Sequence, residues 1–278
     1  MADQAHQQTD DEIARLEQQI AGVYSRAYRS NSKAWSEYLE SISPKLSEAY
    51  KEYQDAIKSG EGVQKAKDAY SNKLREYTFN NQEYRDVVKR TTKSITATNV
   101  AALAIVNAAM VKVYANNYNQ SVRKAEKALQ NKSIGIGISF DLVDQSTVRR
   151  LAKTKEIILP KRKVNVPKDQ AWNAKAINSQ LMQGILQGES IPDISKRMRN
   201  VTDMNREAAV RNARTMCTSA ENAGRMDHMD YMNKHGVKVR KTWIATQDER
   251  TRDWHANLDG VTVDNDEPFT NEYGSSLS

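Results

Sequence analysis

The densest gathering of reactive side chains lies in the 18 residues from Trp243 to Gly260. They carry His255, four carboxylates (Asp248, Glu249, Asp253, Asp259) and two guanidinium groups, Arg250 and Arg252. An imidazole titrates near neutral pH, so His255 helped by Asp248, Asp253 or Asp259 could serve as a general base or metal ligand. That chemistry would suit a nuclease or hydrolase centred on His255 and Asp259. Ligand spacing argues against a metal, because the nearest histidine, His235, is 20 residues upstream and Cys217 is farther still. The same residues also describe a structural polar knot. Arg250 and Arg252 would pair with the acids, His255 would bond a backbone carbonyl, and Trp243 would supply an apolar lid. Ion-pair networks gather such residues without doing chemistry, which favours the knot. A buried Arg252 pair would make its loss cost about 3–5 kcal/mol. The chain contains no G-x-S-x-G, P-loop, dinucleotide fingerprint or H-E-x-x-H. Cys217 shares a helical stretch with Arg211 and Arg214, yet a lone helical cysteine is commonly a packed small hydrophobe. No catalytic residue, metal site or cofactor is expected, and the chain reads as a non-enzyme.

A second concentration is purely cationic. Arg149, Arg150, Lys153, Lys155, Lys161, Arg162, Lys163 and Lys168 face a single acid, Glu156, and Pro160 and Pro167 bracket the later part. This stretch reads as an exposed arm for phosphates or for an acidic protein surface. From Thr242 onward 2 basic residues meet 8 acidic ones, a net of −6, so the rest of a chain whose total is +7 carries +13. A basic body suits a polyanion, since each cation placed on a phosphate releases counterions. With no zinc finger and no assignable helix-turn-helix, DNA contact would be independent of sequence.

The elements that must position these groups are mostly helices. Only 11 Gly and 5 Pro in 278 residues argue against an all-β fold, and one cysteine excludes an internal disulfide framework. Ile13, Leu16, Ile20, Val23 and Ala27 form a one-sided helical stripe. Ser30-Asn31-Ser32 predicts an interruption, and Pro44 a break or kink in the next stripe, which holds Trp35, Tyr38, Leu39 and Ile42. Further stripes run through Leu46–Ile57 and Val63–Tyr77, and an all-round apolar helix spans Ile95 to Tyr114. Its longest apolar run, Val100 to Val111, spans 12 positions and contains Asn107, too short for a membrane span. Alternating Ile134, Ile136 and Ile138 predict a strand. Helices are expected over Gln170–Gln187, Ile191–Met198 and Met204–Asn233, with one short strand alternating through Val237, Val239 and Trp243 and another at Val261–Val263. The expected fold class is therefore mainly α with a small α+β C-terminal domain and an extended N-terminal helical region. The expected division is 1–131, helical; 132–169, strand and basic linker; and 170–278, the C-terminal domain. The absence of a basic n-region and an apolar h-region argues against a signal peptide.

The order of the pieces carries more information than any one of them. Arg211-Asn212-Ala213-Arg214-Thr215-Met216 is followed by Ala220-Glu221-Asn222-Ala223-Gly224-Arg225, Tyr231, Gly236-Val237 and Lys241-Thr242-Trp243. Then come Asp248-Glu249-Arg250-Thr251-Arg252, His255, Leu258-Asp259-Gly260 and Glu267-Pro268-Phe269. This series resembles the domain of the phage Mu F-like minor head proteins, also called phage head morphogenesis proteins, from about Ser139 onward. Phe140-Asp141-Leu142 and Gln183 to Ser190 match its upstream part. The run Trp…Asp-x-Arg-x-Arg-x-x-His-x-x-Leu-Asp-Gly is its most specific element. Family members often carry Cys pairs before Leu-Asp-Gly and a Cys-rich ending; here Arg252 and His255 stand in the first, and the second is missing. Family chains usually continue past Pro-Phe, so a truncated domain is expected.

The resemblance makes Arg214, Gly224, Arg225, Trp243, Asp248, Arg250, Arg252, His255, Leu258, Asp259 and Gly260 the motif of a structural domain. It implies a minor capsid component in few copies inside the virion head near the portal, assembled in the host cytoplasm. Such proteins bind the portal protein and assist procapsid assembly, DNA packaging or DNA delivery. The major capsid or scaffolding protein and packaged double-stranded DNA are further implied partners, with no membrane. The alternatives are the nuclease or hydrolase above and a stand-alone, sequence-independent DNA-binding protein.

Overall fold

A computed structural model describes residues 4–130, 141–245, 249, 251–270 and 276–277. The one-sided stripes become α1 (Gln4–Ser59), α2 (Val63–Glu76) and α3 (Gln82–Gln130), followed by α4 (Gln145–Thr154), α5 (Val166–Leu186) and α6 (Ile191–Lys234). The C-terminal region holds β1 (Arg240–Thr242), α7 (Asp253–Ala256), β2 (Thr262–Asp264), β3 (Phe269–Thr270) and β4 (Ser276–Leu277). The fold is mainly α with a small α+β C-terminal region, as the composition implies. The strand expected around residues 134–140 lies outside the described residues.

Two expected interruptions are absent. Helix α1 runs through Ser30-Asn31-Ser32 and through Pro44 without a break. Ser32 Oγ donates to the Arg29 carbonyl within the helix, Asn31 is buried, and Leu39, Ile42 and Leu46 are buried on both sides of the proline. Tertiary burial overrides the local signal there. Similarly, α6 is one helix where two were expected. It starts after Gly188, whose φ of +63° closes α5, and ends at Gly236, φ +85°.

Contacts divide the chain into two units that are not consecutive in sequence, unlike the division at 131 and 169 that composition suggests. The aromatic unit comprises Asp11–Ala108 and Lys161–Met216. Its core joins Trp35, Tyr38 and Leu39 of α1 to Tyr70 and Leu74 of α2, Ile95 of α3, Ile177 and Leu181 of α5 and Met198 of α6. The Tyr38 hydroxyl donates to the Tyr77 carbonyl, and the Tyr84 hydroxyl donates to Asn178 Oδ1 at 2.6 Å, so these rings bury without an unpaired polar tip. Burial raises the Tyr84 hydroxyl to about 12.

The terminal unit comprises Met1–Asp10, Ala109–Pro160 and Cys217–Ser278. Helix α4 begins at Asp144, whose carboxylate accepts from the Thr147 amide at 2.7 Å and is held below its ordinary pKa by that bond. Val148 packs with Val111, Tyr114 and Ala115, and Val122 packs with Met232. Strands β1 and β2 pair antiparallel, Arg240 opposite Asp264 and Thr242 opposite Thr262. Helix α3 is long and apolar enough to cross a membrane, and 39% of its most apolar 18-residue stretch is buried. The 12-residue count from sequence therefore understated its apolar length.

Gly224 on α6 marks the tightest approach in the terminal unit. A Cβ at this position would lie 2.5 Å from the Tyr114 carbonyl oxygen and 3.1 Å from the Tyr118 nitrogen, both backbone atoms of α3. One turn farther on, the Tyr114 hydroxyl donates to Asp227 Oδ2 at 2.6 Å, and burial raises the Asp227 pKa. In an open helix Gly→Ala would stabilise; here the backbone clash reverses the sign. Gly224→Ala is expected to cost about 1–3 kcal/mol in denaturant unfolding. An unchanged or higher midpoint would contradict this close packing.

Candidate functional site

Most of the C-terminal motif belongs to the terminal unit. The β1–β2 pairing continues past the strand ends: the Trp243 amide donates to the Val261 carbonyl at 2.9 Å, and the Gly260 amide donates to the Trp243 carbonyl at 2.9 Å. Gly260 has φ +79°, a conformation glycine adopts without penalty, which accounts for Leu-Asp-Gly at this corner. Asp259 Oδ1 accepts from the Ala245 amide at 2.9 Å, so this carboxylate holds the loop after Trp243. Leu258 is buried.

The rings supply the rest. Trp243 meets His255 at 5.5 Å and Phe269 edge-on at 5.3 Å between centroids; His255 in turn contacts Trp254 at 3.7 Å. Lys241 Nζ stands 5.4 Å from the Phe269 centroid. Among the described residues no carboxylate is bonded to the His255 ring, and none of their His, Cys, Asp and Glu groups could hold a metal ion. Asp248 and Arg250 lie outside the described residues. Arg252 is exposed at the start of α7 and forms no ion pair among them. The expected arginine–carboxylate pairing at Arg252 is thus replaced by tilted and edge-on ring contacts and backbone bonds around Trp243.

Farther back, Arg225 pairs with buried Glu221 at 2.6 Å and donates from Nε to Asn117 Oδ1 at 3.1 Å. His6 Nδ1 lies 3.1 Å from the same Glu221 carboxylate. Arg214 falls in the aromatic unit, where its Nε donates to Glu17 Oε1 at 2.7 Å on the surface. Cys217 is buried.

The eight cations from Arg149 to Lys168 are all exposed. They do not form one irregular arm. Arg149, Arg150 and Lys153 ride on α4 in the terminal unit, and Lys155 closes that helix at φ +59°. In the aromatic unit Lys161, Arg162 and Lys163 lie on extended chain, and Lys168 sits in the first turn of α5. The Asn107 side chain clamps this chain, accepting from the Arg162 amide at 3.2 Å and donating to its carbonyl at 2.9 Å. The Arg162 guanidinium bonds Asn212 Oδ1.

A polar network that sequence reading did not find lies in the same unit. The Tyr24 hydroxyl donates to Asn99 Oδ1 at 2.6 Å, and Asn99 Nδ2 donates to Asp169 at 3.0 Å and to Asn205 Oδ1 at 2.8 Å. Asn205 Nδ2 donates to Asn173 Oδ1 at 3.0 Å, and Asn173 Nδ2 returns to Asp169 at 2.9 Å. The interruption of an apolar helix by Asn99 was the one available signal.

The motif geometry sets a contrast. Exposed, unpaired Arg252→Ala is expected to change unfolding free energy by less than about 0.5 kcal/mol. Trp243→Ala, which empties the ring cluster, is expected to cost about 3 kcal/mol. Equal effects in thermal unfolding would restore the ionic knot.

Residues 175–276 match the family described as Phage Mu protein F like protein. The match starts later than the resemblance read from about Ser139. The minor head protein GP7 of Bacillus phage SPP1 is 24% identical over 259 residues, which is 93% of this chain and 77% of that protein. The NAD(+)--arginine ADP-ribosyltransferase EFV of Enterococcus faecalis is 30% identical over 97 residues, 35% of this chain but only 20% of that protein. No solved structure matches the chain. Motif order, the family match over residues 175–276 and the near full-length similarity together make the chain similar to the phage Mu F-like head morphogenesis proteins.

Proposed function

We propose that this protein is a non-enzymatic minor capsid component of a tailed phage. It binds the portal protein inside the head and assists procapsid assembly, DNA packaging or DNA delivery. The observation that carries this reading is the similarity to a minor head protein over 93% of the chain. Long helices with one exposed face suit docking on another helical surface. The exposed cations of α4 and of residues 161–168 suit the phosphates of packaged double-stranded DNA, and the major capsid or scaffolding protein is a further partner. The nuclease or hydrolase alternative lacks comparable support, because His255 is engaged by Trp243 and Trp254 rather than by a carboxylate.

Mass spectrometry of purified virions is expected to find the protein substoichiometric to the major capsid protein, and tagged portal protein is expected to retain it. Absence from virions would overturn the reading. Duplex DNA binding has its own test. Reversing Arg149, Arg150 and Lys153 to Glu is expected to lower low-salt affinity. It is also expected to flatten the slope of log affinity against log salt by about 0.9 for each phosphate no longer neutralised. No retardation of DNA at low salt would leave only the protein-docking role.

A further inference from the structure

The buried amide network opens into a cleft of about 400 Å³ within the aromatic unit. Burial orders its lining from inside to outside. Tyr24 and Asn205, 2% and 8% exposed, lie deep beside Asn99 and Asp169. Leu103, Val106 and Ala208 give apolar walls, and Trp172, 44% exposed, stands toward the mouth. Exposed Arg162, Lys163 and Lys168 complete the rim. An exposed tryptophan beside apolar walls is a stacking surface, and the rim is a site for an anion. The interior offers something different. Asp169 receives the Asn99 and Asn173 amides but forms no ion pair among the described residues, so a carboxylate remains as an acceptor for a donor-bearing ligand.

A ligand that suits all three zones is flat, bears an amino edge and ends in a phosphate. We propose that this cleft binds a nucleoside monophosphate unit, its base stacked on Trp172 with the amino edge toward Asp169, and its phosphate on Lys163 and Lys168. The volume lies in the range of small-molecule sites, which begins at about 300 Å³. An acidic peptide fits the rim but would bring its carboxylates toward Asp169, a like charge. Arg162 is committed to Asn212 and to the Asn107 clamp, so it shapes the rim more than it binds. The same chemistry is offered by a free mononucleotide and by one residue of a single strand. This inference does not rest on the head-assembly reading.

The test titrates the full chain with adenosine monophosphate, adenosine, inorganic phosphate, an oligodeoxyadenylate single strand and a glutamate-rich peptide, followed by tryptophan fluorescence and calorimetry. Adenosine monophosphate is expected to bind saturably and to quench emission. Trp172→Leu is expected to remove the quench and weaken binding by about tenfold or more. Lys163→Ala with Lys168→Ala is expected to weaken adenosine monophosphate while leaving adenosine unchanged. Melting curves check that each variant folds, and the lysine pair, on the exposed rim, tests the site should the tryptophan variant fail. Tighter binding of the oligonucleotide identifies a strand as the source; tighter binding of the mononucleotide identifies a free one. The proposal would be overturned by no saturable nucleotide or oligonucleotide binding up to about 1 mM, by binding indifferent to both variants, or by capture of the acidic peptide alone. Phosphate binding as tightly as the nucleotide would equally remove the base from the site.

Discussion

Burial of one-sided helical faces holds the rest of this molecule in place. No stripe on α1, α2 or α5 can leave water by itself, and isolated helices are at best marginal. Trp35 and Tyr38 of α1 become buried only because Tyr70, Ile95, Ile177 and Leu181 arrive from other helices. The magnitudes show how far this dominates. A proline inside a helix costs about 3 kcal/mol, whereas full burial of each large aliphatic side chain contributes about 1.5–3 kcal/mol. Leu39, Ile42 and Leu46 flank Pro44 and are all buried, so the helix continues through it. The same packing fixes α5, and with it Asp169, Lys168 and Trp172.

The two units use buried polar groups in different ways. In the terminal unit a full charge, Glu221, is neutralised by Arg225 and approached by His6. Losing one partner of such a pair leaves a charge without compensation, so its members are interdependent. The aromatic unit relies on amides. Asn99, Asn173 and Asn205 each donate and accept, forming a closed set with Asp169 and Tyr24. Amide networks admit few geometries, and that fixes the registry of α3, α5 and α6 within this unit more narrowly than apolar contact would.

Sequence periodicity captured the helices and the strands around Val239 and Val263, because those signals are local and repeat. It misjudged continuity. Ser30-Asn31-Ser32 and Pro44 are strong local punctuation, but the cost of overriding them is set by partners far away in the chain, which periodicity cannot register. The C-terminal motif was legible as an ordered series, yet its internal physics was not. Arginines beside carboxylates suggested ion pairing, while the structure uses Trp243, His255 and Phe269 as a ring cluster and Asp259 as a backbone acceptor. The amide network was invisible for a simpler reason. Of positions 24, 99, 169, 173 and 205 only 169 and 173 share a helical spacing, on α5; the other three come from α1, α3 and α6.

Asn107 shows what one amide can do for a chain that belongs to no sheet. By accepting from the Arg162 amide and donating to its carbonyl, it gives that residue both bonds a neighbouring strand would supply. Arg162 is solvent-exposed and irregular, features that normally accompany rapid exchange of amide hydrogens with solvent. Its amide should instead exchange as slowly as one inside a ladder, an island of protection whose boundary is a single side chain.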